Sequence, residues 1–165
     1  MTDPLATVTF RPIADDDAPF LAALYASTRA DEMRQVPWDD AQKAAFLQMQ
    51  FEAQHRHYAA HFADAAFDLV LHGPERVPIG RLYLDRRDDE LRIIDIALLP
   101  DWRGRGIGGA LMRRVLDEAA AAGKPVRIHV EKNNPALRLY DRLGFRPIED
   151  QGVYHLMEWR PTGTD

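Results

Sequence analysis

Fourteen residues in the second half of the chain carry the most chemistry: Ile96-Ala97-Leu98-Leu99-Pro100-Asp101-Trp102-Arg103-Gly104-Arg105-Gly106-Ile107-Gly108-Gly109. They join an apolar strand to the start of a helix. Glycines at such a junction let backbone N–H groups converge without obstruction by Cβ atoms, and the helix dipole adds roughly half a positive charge there. Arg103 and Arg105 supply two cations besides. The combination is an anion cradle suited to a diphosphate. A merely tight turn needs one glycine, and here four fall within six positions. Gly104, Gly106 and Gly109 also spell G-x-G-x-x-G, and Glu131 stands near the end of the next strand, where a dinucleotide fold keeps its ribose-binding acid. That fingerprint follows its strand directly and opens a parallel sheet. Here Pro100-Asp101-Trp102 intervene, and two helices and a hairpin come first, so the dinucleotide reading is the weaker one.

The other parse takes Arg103-Gly104-Arg105-Gly106-Ile107-Gly108 as [R/Q]-x-x-G-x-[G/A]. A second block follows at Asn133-Asn134-Pro135-Ala136-Leu137-Arg138-Leu139-Tyr140-Asp141-Arg142-Leu143-Gly144-Phe145, similar to N-x-x-A-x-x-L-Y-x-x-x-G-F. With both blocks in register, the sequence resembles the GCN5-related N-acetyltransferase (GNAT) superfamily, whose pyrophosphate loop lies between its fourth strand and third helix. The order of elements over residues 8–160 agrees, so the resemblance covers nearly the whole chain.

The resemblance implies an acetyl-CoA-dependent N-acetyltransferase. Ala97 and Leu98 would offer main-chain groups to the pantetheine and the thioester carbonyl. Amides from Arg103 through Gly104, Arg105, Gly106, Ile107 and Gly108 to Gly109 would take the pyrophosphate, and Asn133 and Ala136 would meet the pantetheine arm. Tyr140 is expected to be the general acid: a phenol of ordinary pKa about 10 suits reprotonation of an alkyl thiolate. The competing role for Tyr140 is packing against Leu139 and Phe145. With no cysteine in the chain, the commonest covalent acetyl carrier is missing, and direct transfer to the amine is expected. A catalytically silent CoA-binding module, acting as a sensor or partner, is the alternative.

Asp95 is the expected general base. It interrupts an apolar run of Ile93, Ile94, Ile96 and Ala97, where a charge is costly unless it is paired or functional; a structural acid bonded to backbone or arginine is the other reading. For the acceptor, Tyr25, Arg29, Glu32, Trp38, Gln50 and Tyr58 form an aromatic-plus-acid set suited to an amine, although Tyr25 and Trp38 could equally cover the core. The expected acceptor is a primary amine of a small molecule or peptide. His57 and His61 have the i, i+4 spacing of a zinc pair, but Tyr58 follows His57 where a metalloprotease has Glu, and His55 lies on another face. No metal is expected.

To position these residues the chain needs an α/β architecture: a mixed sheet of about seven mostly antiparallel strands flanked by about four helices. Val8–Ile13 reads as a first strand, followed by helices over about 18–29 and 39–61. Strands follow at 67–72, 79–85 and 91–99, with turn signals at Gly73-Pro74. The clearest helix is 107–122, where Ile107, Leu111, Val115 and Ala119 repeat and Gly123 stops the run. A strand at 126–130, a short helix at 135–143 and two closing strands complete it. At 165 residues the expectation is a single acetyltransferase domain over 1–165, with its core at about 8–160 and a tail at 161–165. The net charge of −5 disfavours nucleic acid and anionic membranes as partners. No signal peptide or spanning segment is read, so the expected location is cytoplasmic. Only three of 21 basic residues are lysine, a bias pointing to a bacterial source, and pairing of the last strand would give a homodimer.

Overall fold

Helix α4 (Ile107–Ala122) buries Ile107, Leu111, Val115 and Ala119 as their spacing predicts, together with Ala110, Met112 and Leu116. Gly123 ends it in the left-handed region (φ 68°), and Lys124 N bonds back to Ala119 O, the glycine stop expected of such a terminus. This helix covers one face of the sheet. A computed structural model describes residues 3–162; of the expected tail, positions 163–165 lie outside the described residues. The strands are β1 (Val8–Pro12), β2 (Ala66–His72), β3 (Val77–Arg86), β4 (Leu91–Leu98), β5 (Val126–Glu131), β6 (Arg146–Gln151) and β7 (Tyr154–Trp159). They form one sheet in the order β1-β2-β3-β4-β5-β7-β6, antiparallel throughout except between β4 and β5.

The opposite face is covered by α1 (Ala18–Thr28) and α3 (Asp40–His61). Asp39 caps α3: its carboxylate accepts from Gln42 N at 2.8 Å while Gln42 Oε1 accepts from Asp39 N at 3.0 Å, a reciprocal capping box. Leu21, Tyr25 and Phe51 from these helices meet Leu69 and Leu71 of β2 in a second core. Among the described residues five α-helices stand where about four were expected. The extra one is α2 (Ala30–Arg34). It is cut from α1 where the hydroxyls of Ser27 and Thr28 donate to the carbonyls of Leu24 and Tyr25, competing with the helix's own ladder. The fifth, α5 (Leu137–Leu143), follows β5. Asp17, which precedes α1, makes no side-chain cap there; it turns back to Arg11 and to the amide of Ala14. Among the described residues no helix is long and apolar enough to cross a membrane.

Candidate active site

The site begins where the sheet opens. β4 and β5 pair in parallel only from Leu91↔Val126 to Ile93↔Ile128. At that point Ile94 is an extra residue in β4, since Tyr83 pairs with Asp95 and Leu84 with Ile93. A bulge of this kind bends its strand, and β4 leaves β5. The bond from Leu99 N to Ile79 O fixes the phase of the ladder beyond the bulge. Residues alternate between bonding across and pointing away, so Asp95, Ala97 and Leu99 bond back to β3. Ile96 and Leu98 therefore aim their amides and carbonyls into the opening. Of the two residues expected to offer main-chain groups, Leu98 thus faces the opening and Ala97 faces β3, with Ile96 beside Leu98 in the opening. Between the parted strands lies a cleft of about 70 Å³ lined by Asp95 and Ile96 on one side, Val130 and His129 on the other, and Asn134 and Tyr140.

The end of β4 leads straight into the glycine turn. Gly104 (φ 74°) and Gly106 (φ 84°) are both left-handed, a conformation that side chains resist. Gly106 is the N-cap of α4 and offers no side-chain cap. Ala110 N bonds Gly106 O, so the amides of Ile107, Gly108 and Gly109 belong to the first turn, which has no intrahelical acceptor. A Cβ on Gly108 would meet nothing closer than Leu98 Cδ1 at 3.8 Å: the protein itself does not require glycine there, but a group resting on those amides would. These features fit a diphosphate. The two arginines are placed differently. Arg103 donates from Nε to Leu98 O at 2.9 Å and from Nη2 to Ser27 Oγ at 3.2 Å, bracing the turn against β4 and α1. Arg105 is exposed, with its guanidinium 4.7 Å from the Trp102 ring centroid. Gly109 makes room for a residue the sequence did not single out, because the Arg113 guanidinium lies 3.5 Å from where its Cβ would be.

Tyr140 sits on α5, buried against Phe145 at 5.7 Å, and still lines the cleft. Burial, and then the negative charge of Asp95, push its phenol up to about 12. It is both a core residue and a cleft residue. Asn133 is exposed, whereas its neighbour Asn134 faces the cleft and accepts from Ala136 N at 2.8 Å. The Ala136 amide is thereby engaged inside the turn that starts α5.

Asp95 ion-pairs with Arg81, a β3 residue whose side chain is only 4% exposed. Arg81 also donates to Gln54 Oε1 of α3 at 2.9 Å and lies over the Tyr83 ring at 4.8 Å. Tyr58 packs edge-on to Tyr83 at 5.9 Å, and burial raises its pKa. Neither Arg81 nor Tyr83 was foreseen, although Gln54, a polar residue on an otherwise apolar helical face, was the available signal. Of the expected acceptor residues, Tyr25 is in the core with its hydroxyl donated to Gln50 Oε1 at 3.0 Å. Tyr25 thereby takes the covering position, while Gln50 is half-buried. Arg29 pairs with Glu32 at 2.9 Å and with Glu131 of β5 at 3.0 Å, tying α1 to the far lip of the cleft. Trp38 is 41% exposed and packs edge-on to Phe46 at 5.2 Å. His57 and His61 stack on each other at 4.1 Å, and His61 Nδ1 lies 3.0 Å from His57 O. Among the described residues no group of three or more His, Asp or Glu could hold a metal.

Residues 21–145 match the model of the acetyltransferase (GNAT) family, and the chain belongs to that family. Mycothiol acetyltransferase of Corynebacterium aurimucosum is 39% identical over 61 residues, 36% of this chain and 20% of its own length. Cysteine-rich protein 2-binding protein of Mus musculus is 31% identical over 81 residues, 49% of this chain and 10% of its own. The chain thus spans about a tenth to a fifth of these curated relatives. Among solved structures, the paia N-acetyltransferase of Thermoplasma acidophilum in complex with coenzyme A superposes with a TM-score of 0.68 at 15% identity, covering 93% of this chain and 99% of that one. Spermidine N-acetyltransferase of Vibrio cholerae, in complex with CoA and spermine, gives 0.61 at 19% identity, with 95% and 97% covered. At these identities the structures establish the fold.

Proposed function

We propose that this protein is an acetyl-CoA-dependent N-acetyltransferase that moves the acetyl group directly to a primary amine of a small molecule or peptide. The observation that carries the reading is the continuous line from the opened β4–β5 edge to the uncapped amides of α4, with Tyr140 facing the opening. Acetyl-CoA supplies an activated thioester. The amides of Gly106 to Gly109 hold its diphosphate, and Asn133 borders the path of the pantetheine arm. Leu98 and Ile96 take that arm as an added strand, with the Ile96 N–H aimed at the thioester oxygen; one such donor is worth about 10²–10³ in rate. The acceptor ammonium gives a proton to solvent beside Asp95, and its lone pair forms the C–N bond as the C–S bond breaks. Tyr140 Oη gives its proton to the departing sulfur and recovers one from solvent, while the new amide nitrogen releases its second proton. Tyr58, Arg29, Glu32 and Trp38 border the acceptor side.

Calorimetric titration with acetyl-CoA, CoA, NAD and NADP tests the cradle, and thiol release with benzylamine, glycinamide, spermidine and a lysine peptide tests the transfer. Binding of both CoA species without NAD or NADP, together with thiol release that depends on an amine, is expected. Binding of CoA with no release for any amine identifies a silent CoA-binding module instead. Binding of NAD alone overturns the assignment.

A further inference from the structure

Arg81 is an arginine in the wrong place for packing. Its guanidinium is almost wholly buried, one terminal nitrogen serves both Asp95 and Gln54, and Nε has no partner. A buried ion pair with an unfilled donor is weak evidence for stability, because desolvation offsets the attraction. Its partner, however, lines the cleft beside Tyr140. Arg81 engages only Oδ2 of Asp95, so the other oxygen is left to a ligand.

A bare carboxylate at this place would create a difficulty. It would bind an incoming amine well, but as an ammonium ion, whose lone pair is tied up in the N–H bond. Resting on the transferase reading above, we propose that Arg81 is a positioning residue that holds Asp95 by one oxygen and cancels its charge, so that the acceptor amine is oriented by a hydrogen bond without being held in its unreactive, protonated form. The surroundings leave this task to Arg81. From β3, α3 and α5 the groups facing Asp95 are Tyr83, Tyr58 and Tyr140, all neutral phenols with pKa values raised by burial; Tyr154 of β7 lies beyond Tyr58. From β5, His129 lines the cleft, and burial followed by Arg92 holds its pKa below the usual value. Arg29 and Glu131 cancel each other. Gln54 carries no charge.

The probe is benzylamine, with thiol release from acetyl-CoA followed from about pH 6 to pH 10. A unit charge roughly 6 Å from the amine, at an effective dielectric constant near 20, is worth about two pH units. Arg81→Met should therefore move the rising limb of kcat/KM upward by about that much, and Arg81→Lys should return it. The double variant Arg81→Met with Asp95→Asn should place the limb back near the wild-type position at a lower rate, and it keeps the test open if the single variant does not fold. CoA affinity, measured by calorimetry, should be unchanged in each. A lower rate with an unmoved limb in Arg81→Met, or a limb still displaced in the double variant, overturns the proposal and leaves the transferase reading standing. A wild type that binds CoA but releases no thiol with any amine overturns both.

Discussion

Gly108 separates what the fold needs from what the ligand needs. It occupies the second position of α4, its backbone is not left-handed, and a Cβ there has no neighbour nearer than 3.8 Å. Replacing it with aspartate should stabilise the protein without ligand. Aspartate is a few tenths of a kcal/mol better than glycine inside a helix, and an acid in the first turn gains about 0.3–1 kcal/mol from the dipole. Together these give about 1 kcal/mol, or roughly 2–4 °C in a domain of this size. The same carboxylate would stand beside a bound diphosphate. Two like charges about 4 Å apart at an effective dielectric constant of 20 repel by about 4 kcal/mol, near a thousandfold in affinity. Differential scanning fluorimetry without ligand and calorimetric titration with CoA read the two effects on one sample. A variant that melts lower yet binds CoA as the wild type does would refute the cradle, since it would show glycine serving the helix and not the ligand.

Tyr140→Phe keeps the packing against Phe145 and removes only the proton donor, so the turnover rate should fall by about 10²–10⁴ with CoA affinity unchanged. Because the wild-type phenol is held at about 12, its ionisation should contribute no loss of rate below about pH 11. Gly80→Ala should be costly, since the new Cβ would stand 2.3 Å from Ala97 O and 2.8 Å from Leu98 Cδ2. A loss of about 1–3 kcal/mol by calorimetry, with weaker CoA binding as β4 shifts, is expected, and an unchanged melting temperature would contradict it. Asp17→Asn loses the paired contact with Arg11 and should destabilise by about 1 kcal/mol at neutral pH. Arg11, and then the Ala14 amide, hold the Asp17 carboxyl below its ordinary value. The wild-type advantage is therefore full above about pH 4 and lost as pH falls through the folded-state pKa, which urea melts over an acidic pH series would resolve.

Local signals are the legible part of this sequence. The apolar repeat and Gly123 bound α4 to the residue, and the expectations of a cradle and of Tyr140 each rest on one continuous motif. What depended on register was hidden. Ala97 looked equivalent to Ile96 in sequence, and only the extra residue at Ile94 decides which of them faces the opening. The apolar run around Asp95 calls for a partner, but Arg81 lies on another strand and nothing in the sequence says which arginine supplies it. The break before α2 was invisible because Ala30–Arg34 is ordinary helical sequence; the interruption comes from hydroxyls at Ser27 and Thr28 that bond inward to the preceding turn. Tyr25 had the chemistry of an acceptor residue but the position of a core one.

The bulge at Ile94 also says where this protein is robust. The donors facing the opening are main-chain amides, which no side-chain substitution short of proline removes. Ile96 and Leu98 can be exchanged for other apolar residues and the site keeps its hydrogen-bonding pattern. A change in chain length is different. Deleting one residue at Ile94 would remove the bulge, let β4 run on beside β5 and close the opening that Ile96 and Leu98 face. The site is thus written in the residue count of a strand, and point substitution and single-residue deletion strike it with very unequal force.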